Sequence, residues 1–377
     1  MKILTVKKHK NYKFNFLLFF VMLALLCVGA VFVFSASFYS ANITYGDKFF
    51  FLKKQIFGII VGLFCFIFFC FFDYRKLEKL KWFLLVVSYI LLGLVFVPGI
   101  GFSNYGATRW INLGIITFQP SELAKITFII FSASVLSKSS EKIKSFKGLI
   151  PVLIVGLIYC ALIILEPNMS ITICMALLMV VMLFIGGAKI KHFIILAVPA
   201  IAVVVLLILI EPYRLKRLIA FIDPFSSSKG EGFQLVQSLL GIALGGMFGV
   251  GVFNSRQKYL FLPFSESDFI LSIIAEEIGF VGVSFVIALF VILFLTIIKI
   301  SKNAPDKFGC LLSAGIGSII IIQCLLNVAV VTGLVPPTGL PLPFISAGST
   351  SIMVFMGCLG IVQNVYRQGR KTILNWQ

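Results

Sequence analysis

Acid is scarce in this chain: 14 Asp and Glu stand against 32 Lys and Arg in 377 residues. Histidine is rarer still. His9 lies in a basic N-terminal run and His192 follows Lys191, so neither is placed for catalysis. The eight cysteines (Cys27, Cys65, Cys70, Cys160, Cys174, Cys310, Cys324 and Cys358) fall in or beside apolar runs. None has metal-ligand spacing, which argues against both a disulfide framework and a zinc site. A Walker-type glycine loop is missing, which argues against a nucleotide-driven pump. Long polar stretches are few, so little mass is expected outside a membrane, and no nucleic-acid partner is expected.

What is abundant is apolar. The chain is 60% hydrophobic and 12% charged, with a mean hydropathy of +1.10, and many runs approach the roughly 20 residues that cross a bilayer. Polar interruptions divide it into ten candidate spans near 14–36, 49–72, 82–98, 120–137, 149–165, 169–187, 193–210, 269–298, 309–333 and 350–366. The first follows Lys7, Lys8 and Lys10 as a signal peptide's core would, but it is too long for that and is expected to be retained. With the N-terminus inside, most Lys and Arg fall in inner segments, as the positive-inside rule requires. Of the acids, only Asp73, Glu78, Glu141 and Asp306 fall there. The expectation is an all-α polytopic protein, one integral membrane domain over 1–377 with both termini cytoplasmic. It has a large extracellular loop at 210–268 and a cytoplasmic tail at 367–377.

The candidate chemistry gathers in outward segments. Phe253–Gly282 joins a basic aromatic stretch with Arg256 and Lys258 to Asp268 at the lip of an apolar helix, and that helix carries Glu276 and Glu277. Asp268 reads either as a reacting carboxylate beside cations that hold an anionic substrate, or as an ordinary helix cap. Pro98–Pro120 places Arg109 and Trp110 in a glycine-rich loop. Glu122 and Lys125 follow, three apart on one helix face where they can pair. Arg109 and Lys125 read as a phosphate cradle or as interface anchor and local ion pair. Glu166 is a cap residue or part of a polar cavity. Glu211–Ser267 opens with Arg214, Lys216 and Arg217 on an amphipathic stretch. It continues through Gly232–Gly251, apolar and glycine-dense with Gln234 and Gln237, which is expected to be a re-entrant or buried half-helix rather than an eleventh span. Gln323 and Asn327 lie inside span nine, before a segment with four prolines that must line a cavity or be covered. Ser346 and the hydroxyls to Ser351 open span ten, to take an anion or to cap.

GATRWINLG…FQPSELAK, GFQLVQSLL…GGMFGVG, NSRQKYLFLP, SDFI…AEEIGFVG and VVTGLVPPTGLPLPFIS together resemble the SEDS family of FtsW, RodA and SpoVE, in order from Arg109 to the end of span ten. NSRQKYLFLP is similar to the FtsW and SpoVE version. The resemblance implies a ten-helix fold that polymerises lipid II on the outer face of the cytoplasmic (inner) membrane during cell division. Its expected partners are a class B penicillin-binding protein transpeptidase and other divisome proteins. The family's essential aspartate matches Asp268. The family's Pro-Glu-x-x-Thr-Asp is here Pro263-Phe264-Ser265-Glu266-Ser267-Asp268, its acid-proline-Asp ends in Asn168, and its Ser-Tyr-Gly-Gly-Ser-Ser is Ser346–Ser351.

On that reading Asp268 is the general base on the acceptor hydroxyl and lipid pyrophosphate is the leaving group. Arg109, Lys125, Arg256 and Lys258, with Gln234 and Ser346, are expected to bind substrate, with or without a divalent cation (Mg2+ or Mn2+). Glu122, Glu276, Glu277 and Asn327 are expected to support, the two membrane glutamates by orienting Arg or Lys side chains. No protein-held metal is assigned. The competing classes are a lipid II flippase and a non-catalytic division scaffold.

Overall fold

The structure, a computed structural model, describes residues 14–374 apart from 105–106, 113–116, 139–142, 144, 211–217, 227–229 and 231. The basic stretch expected at Arg214, Lys216 and Arg217 lies outside the described residues. Helices dominate: α1 (Phe16–Tyr45), α2 (Phe50–Phe71), α3 (Arg75–Leu94), α4 (Pro120–Lys138), α5 (Phe146–Leu165), α6 (Met169–Gly186) and α7 (Ile190–Ile210) are followed by α8 (Phe233–Gly245), α9 (Ile270–Lys302), α10 (Lys307–Val331) and α11 (Ser349–Leu374). A long helix lies over every predicted span. Counting only the described residues, eight of these are long and apolar enough to cross a membrane by length and composition. α3 opens on Arg75, Lys76, Glu78, Lys79 and Lys81 and is the more polar exception.

Turn chemistry explains most boundaries. Asn15, Asn168 and Asp306 each accept a backbone N–H three residues on, capping α1, α6 and α10. Asn168 therefore keeps its capping oxygen where the related motif has aspartate. α2 lies along α11 through small residues: a Cβ on Gly360 would stand 2.5 Å from the Phe66 carbonyl, and one on Gly58 2.9 Å from Ser349. At one end of the bundle Tyr74 donates its hydroxyl to Asp306, Arg75 Nε reaches the same carboxylate at 3.0 Å, and Gln368 Nε2 donates to Asp73 at 2.9 Å.

Two features depart from the sequence expectation. The loop before α4 contains a three-stranded antiparallel sheet, β1 (Gly101–Asn104), β2 (Ala107–Asn112) and β3 (Thr117–Phe118), with Phe102 opposite Trp110 and Ile111 opposite Phe118. The all-α description therefore needs this small addition. The predicted continuous span over 269–298 is broken at Gly279, whose φ of 66° and ψ of −169° are non-helical. The glycine-rich loop after α8 fills the break. Val250 and Gly251 donate their N–H groups to the carbonyls of Glu276 and Glu277, while Phe280 and Val281 donate to Gly246 and Met247. Backbone freed by the break is thus paired again, as an apolar surround demands. α8 has 13 residues, about 20 Å of helix, and falls short of a bilayer.

Candidate active site

Asp268 ends a strained approach. Phe253, Leu260 and Phe264 hold φ of 68°, 68° and 57° without being glycine, a conformation that costs roughly 1–3 kcal/mol at each position and persists only where surroundings enforce it. The last residues of the approach, Glu266 to Asp268, are held by α10 and by residues 339–347. Asn327 Nδ2 donates to the carbonyls of Asp268 and Leu340, both at 2.8 Å. Ser346 Oγ donates to the Ser267 carbonyl at 2.5 Å and accepts the Leu342 N–H at 2.7 Å. Ala347 donates its N–H to the Glu266 carbonyl at 2.9 Å. The Asp268 side chain, half-buried, faces Gly339, where a Cβ would stand 2.9 Å from its Oδ2. Helix α9 starts two residues later, at Ile270, with Phe269 at the N-cap and no cap bond from the Phe269 side chain. Beside it, burial pushes the Glu266 carboxyl above the usual range, against weaker opposing bonds from its own backbone and Ser265.

Glu276 and Glu277 lie roughly 12–14 Å along α9 from Asp268 at helical rise, and each organises the basic loop. Glu276 accepts the Arg256 N–H at 2.9 Å, the Gln257 N–H at 3.3 Å and the Ser255 hydroxyl, so it orients backbone rather than the expected Arg or Lys side chain. Glu277 accepts Lys258 Nζ at 3.0 Å and Ser35 Oγ at 2.6 Å. Lys258 also donates to the Phe253 carbonyl at 2.5 Å and to Ser35 Oγ at 3.3 Å, with Phe38 5.0 Å from its charge. All three of its protons are engaged and the residue is 1% exposed. The geometry therefore makes Lys258 a structural cation rather than a pyrophosphate ligand.

Lys125 is revised in the same way. The expected pair with Glu122 forms at 2.7 Å with both side chains buried, and Lys125 also donates to Gln323 Oε1 at 2.8 Å. Arg109, on β2, directs its guanidinium to the carbonyls of Glu166 (3.4 Å) and Pro167, stapling the sheet to the α5–α6 turn. Glu166 itself is wholly buried and neither carboxyl oxygen has a hydrogen-bond partner. Burial raises its pKa to about 8, with Arg109 acting weakly the other way. Ser346 is 3% exposed and bonded to backbone on both sides, so it holds the acid loop rather than presenting a hydroxyl to an anion. Gln234 is half-buried in the first turn of α8.

Arg256 is the candidate cation that stays exposed. It lines a cleft of about 390 Å³ with Leu244, Val250, Asn254 and Glu276. Here two apolar side chains, Leu244 and Val250, meet a guanidinium and the Glu276 carboxylate. Among the described residues no three His, Cys, Asp or Glu side chains converge on a metal position. Ser35, Ser255 and Gly339 carry no signal as isolated small residues in the sequence. The four-residue spacing of Gln323 and Asn327 in an apolar span was the legible trace of the polar face on α10.

Such an arrangement defines a class: a polytopic helical membrane protein with a clamped acid at one end of its bundle and an exposed arginine in a mixed apolar and polar cleft. The profile of the family that includes FtsW, RodA and SpoVE, described as "Cell cycle protein", matches residues 15–371, and the chain belongs to that family. It is 38% identical over 359 residues to Stage V sporulation protein E of Bacillus subtilis (strain 168), covering 94% of this chain and 98% of the relative. It is 36% identical over 353 residues to the probable peptidoglycan glycosyltransferase FtsW of Geobacter sp. (strain M18), covering 93% and 96%. A chain of the solved structure described as "Structural coordination of polymerization and crosslinking by a peptidoglycan synthase complex" superposes with a TM-score of 0.77 at 28% identity, over 94% of this chain and 98% of that one. The rod shape determining protein RodA of Thermus thermophilus gives 0.68 at 24% identity, over 94% and 97%, a likeness of fold.

Proposed function

We propose that the protein is a peptidoglycan glycosyltransferase that polymerises lipid II into glycan strands during cell division. The observation that carries this reading is Asp268, a carboxylate seated on a strained loop clamped from three sides, in a chain whose relatives are named peptidoglycan glycosyltransferases. Asp268 removes the proton from the acceptor sugar hydroxyl. The oxygen so freed forms its bond to the donor's anomeric carbon as the bond from that carbon to the pyrophosphate oxygen breaks. The electron pair leaves with the lipid diphosphate, and a single displacement inverts the carbon. Arg256, the exposed cation of the cleft, stabilises the departing charge. Any divalent cation would arrive with the diphosphate, and no step here depends on one.

The expected setting is the cytoplasmic membrane, crossed ten times, with both termini inside and Asp268 on the outer face. The whole chain forms one membrane domain, with 210–268 as its outer loop and 367–377 as its cytoplasmic tail. A class B penicillin-binding protein transpeptidase is the expected partner, supported by the synthase complex that the fold matches, together with other divisome proteins. The test supplies lipid II to the purified protein, with and without that partner, and resolves the products on a gel. Glycan chains from the unsubstituted chain and none from Asp268→Ala are expected. Labelled lipid II crossing vesicles without polymer would instead make the protein a flippase.

A further inference from the structure

We infer that Lys125 and Gln323 are positioning residues for Asp268, acting through the wall formed by residues 339–341. This assignment rests on the proposed role of Asp268 as base. Lysine can only donate. Its 2.8 Å bond to Gln323 therefore fixes that amide with Oε1 towards α4 and Nε2 away from it. On the far side Nε2 donates to the Pro341 carbonyl at 2.8 Å. One helical turn along α10, Asn327 Nδ2 takes the neighbouring Leu340 carbonyl and the Asp268 carbonyl together. The next residue back is Gly339, against which the Asp268 carboxylate rests.

The segment's own backbone bonds are short-range, with Leu340 donating to the Thr338 carbonyl and Ser346 to the Leu342 carbonyl. Pro336, Pro337, Pro341 and Pro343 carry no N–H, so the loop cannot build a ladder of its own, and side chains of α10 supply the missing donors. Without Lys125 the Gln323 amide can flip, and its oxygen would then oppose the Pro341 carbonyl. Glu122 completes the device by neutralising a lysine that is otherwise sealed in the protein. A buried pair that contributes little net stability is thereby explained by the orientation it imposes. The 0% exposure of Lys125 is what a phosphate ligand would not show.

The experiment compares steady-state polymerisation of lipid II by the full-length protein in nanodiscs for the unsubstituted chain, Asp268→Asn, Gly339→Ala and Glu122→Met/Lys125→Met. The last variant removes both charges, so neither is left uncompensated. The expected result is a fall in kcat of about tenfold or more with KM within about twofold. Combining it with Gly339→Ala should do no more harm than the worse of the two, because both act on one wall. A rise in KM with kcat unchanged would make Lys125 a substrate ligand, and unchanged kinetics in the folded variant would make the pair structural only; either overturns the inference. If the double variant fails to fold, Gln323→Met leaves the ion pair in place and must show the same kcat loss, and wild-type kinetics there overturn it equally. Wild-type activity in Asp268→Asn, or no polymer from the unsubstituted chain, would overturn the proposed function and this inference together. Failure of the α4 and α10 variants alone leaves the proposed function standing.

Discussion

Lys258 and Lys125 show how far burial changes what a residue can do. Both occupy motifs rich in cations and polar groups, and both give their protons to the protein itself. Removing Lys258 leaves the Glu277 carboxylate sealed with only Ser35 and the Ser255 N–H near it, and breaking a buried pair costs about 3–5 kcal/mol. Lys258→Met should therefore sharply lower the melting temperature in detergent, and Lys258→Met/Glu277→Leu should recover much of it. A melting temperature equal to wild type, with weakened substrate use, would return Lys258 to the ligand set. Glu166 makes a prediction in pH. Its proton is held to about 8 in the folded chain against an ordinary value of 4.5. The folded state thus binds the extra proton, and this contribution is full below about pH 4.5 and lost as pH rises towards 8. Thermal stability should decline over that window, and Glu166→Gln should flatten the decline. An unchanged slope in the variant would show that other groups set it.

At the scale of elements, the break in α9 matters most. Gly279 has positive φ, and a Cβ there would stand 2.5 Å from both the Gly249 N and the Met247 carbonyl. Gly279→Ala should cost more than the roughly 1–2 kcal/mol of the left-handed backbone alone, because the loop after α8 would have to leave the break. Poor expression or a lowered melting temperature is the expected outcome, and normal melting would mean that the break is dispensable. The sequence showed where the helices lie because apolar runs and caps are local signals. Asp268 was legible for the same reason, as an acid beside an apolar run in a recognisable motif. The helix break was not legible, since a glycine inside a long apolar run reads as a tolerated interruption until its partner, some thirty residues earlier, is placed against it. The small sheet was hidden likewise, its short strands lying in a glycine-rich segment that reads as loop. Glu122 and Glu277 were legible as partners for buried cations, but Gln323 beside Lys125 and Ser35 beside Lys258 were out of reach because they come from α10 and α1, far along the chain.

For the whole molecule, the alternation of helices sets two chemically different ends. One gathers Ser35, Lys258, Glu266 and Asp268, through bonds from α1 to the loop before α9. The other gathers Asp73, Tyr74, Asp306 and Gln368. On the proposed orientation, with the basic segments inside, a membrane-impermeant maleimide should label Lys48→Cys in intact cells and reach Lys302→Cys only after permeabilisation. The reverse pattern would put Asp268 in the inner compartment, where the proposed reaction has no place.

The central claim is that one carboxylate drives sugar transfer in this fold. Its most direct test is polymer formation from lipid II by the purified chain beside Asp268→Asn, a variant that keeps shape and hydrogen bonding while removing the base. A loss of at least about 10²-fold in rate, with an unchanged melting temperature, is the predicted result. Polymer made by Asp268→Asn at the unsubstituted rate would contradict it.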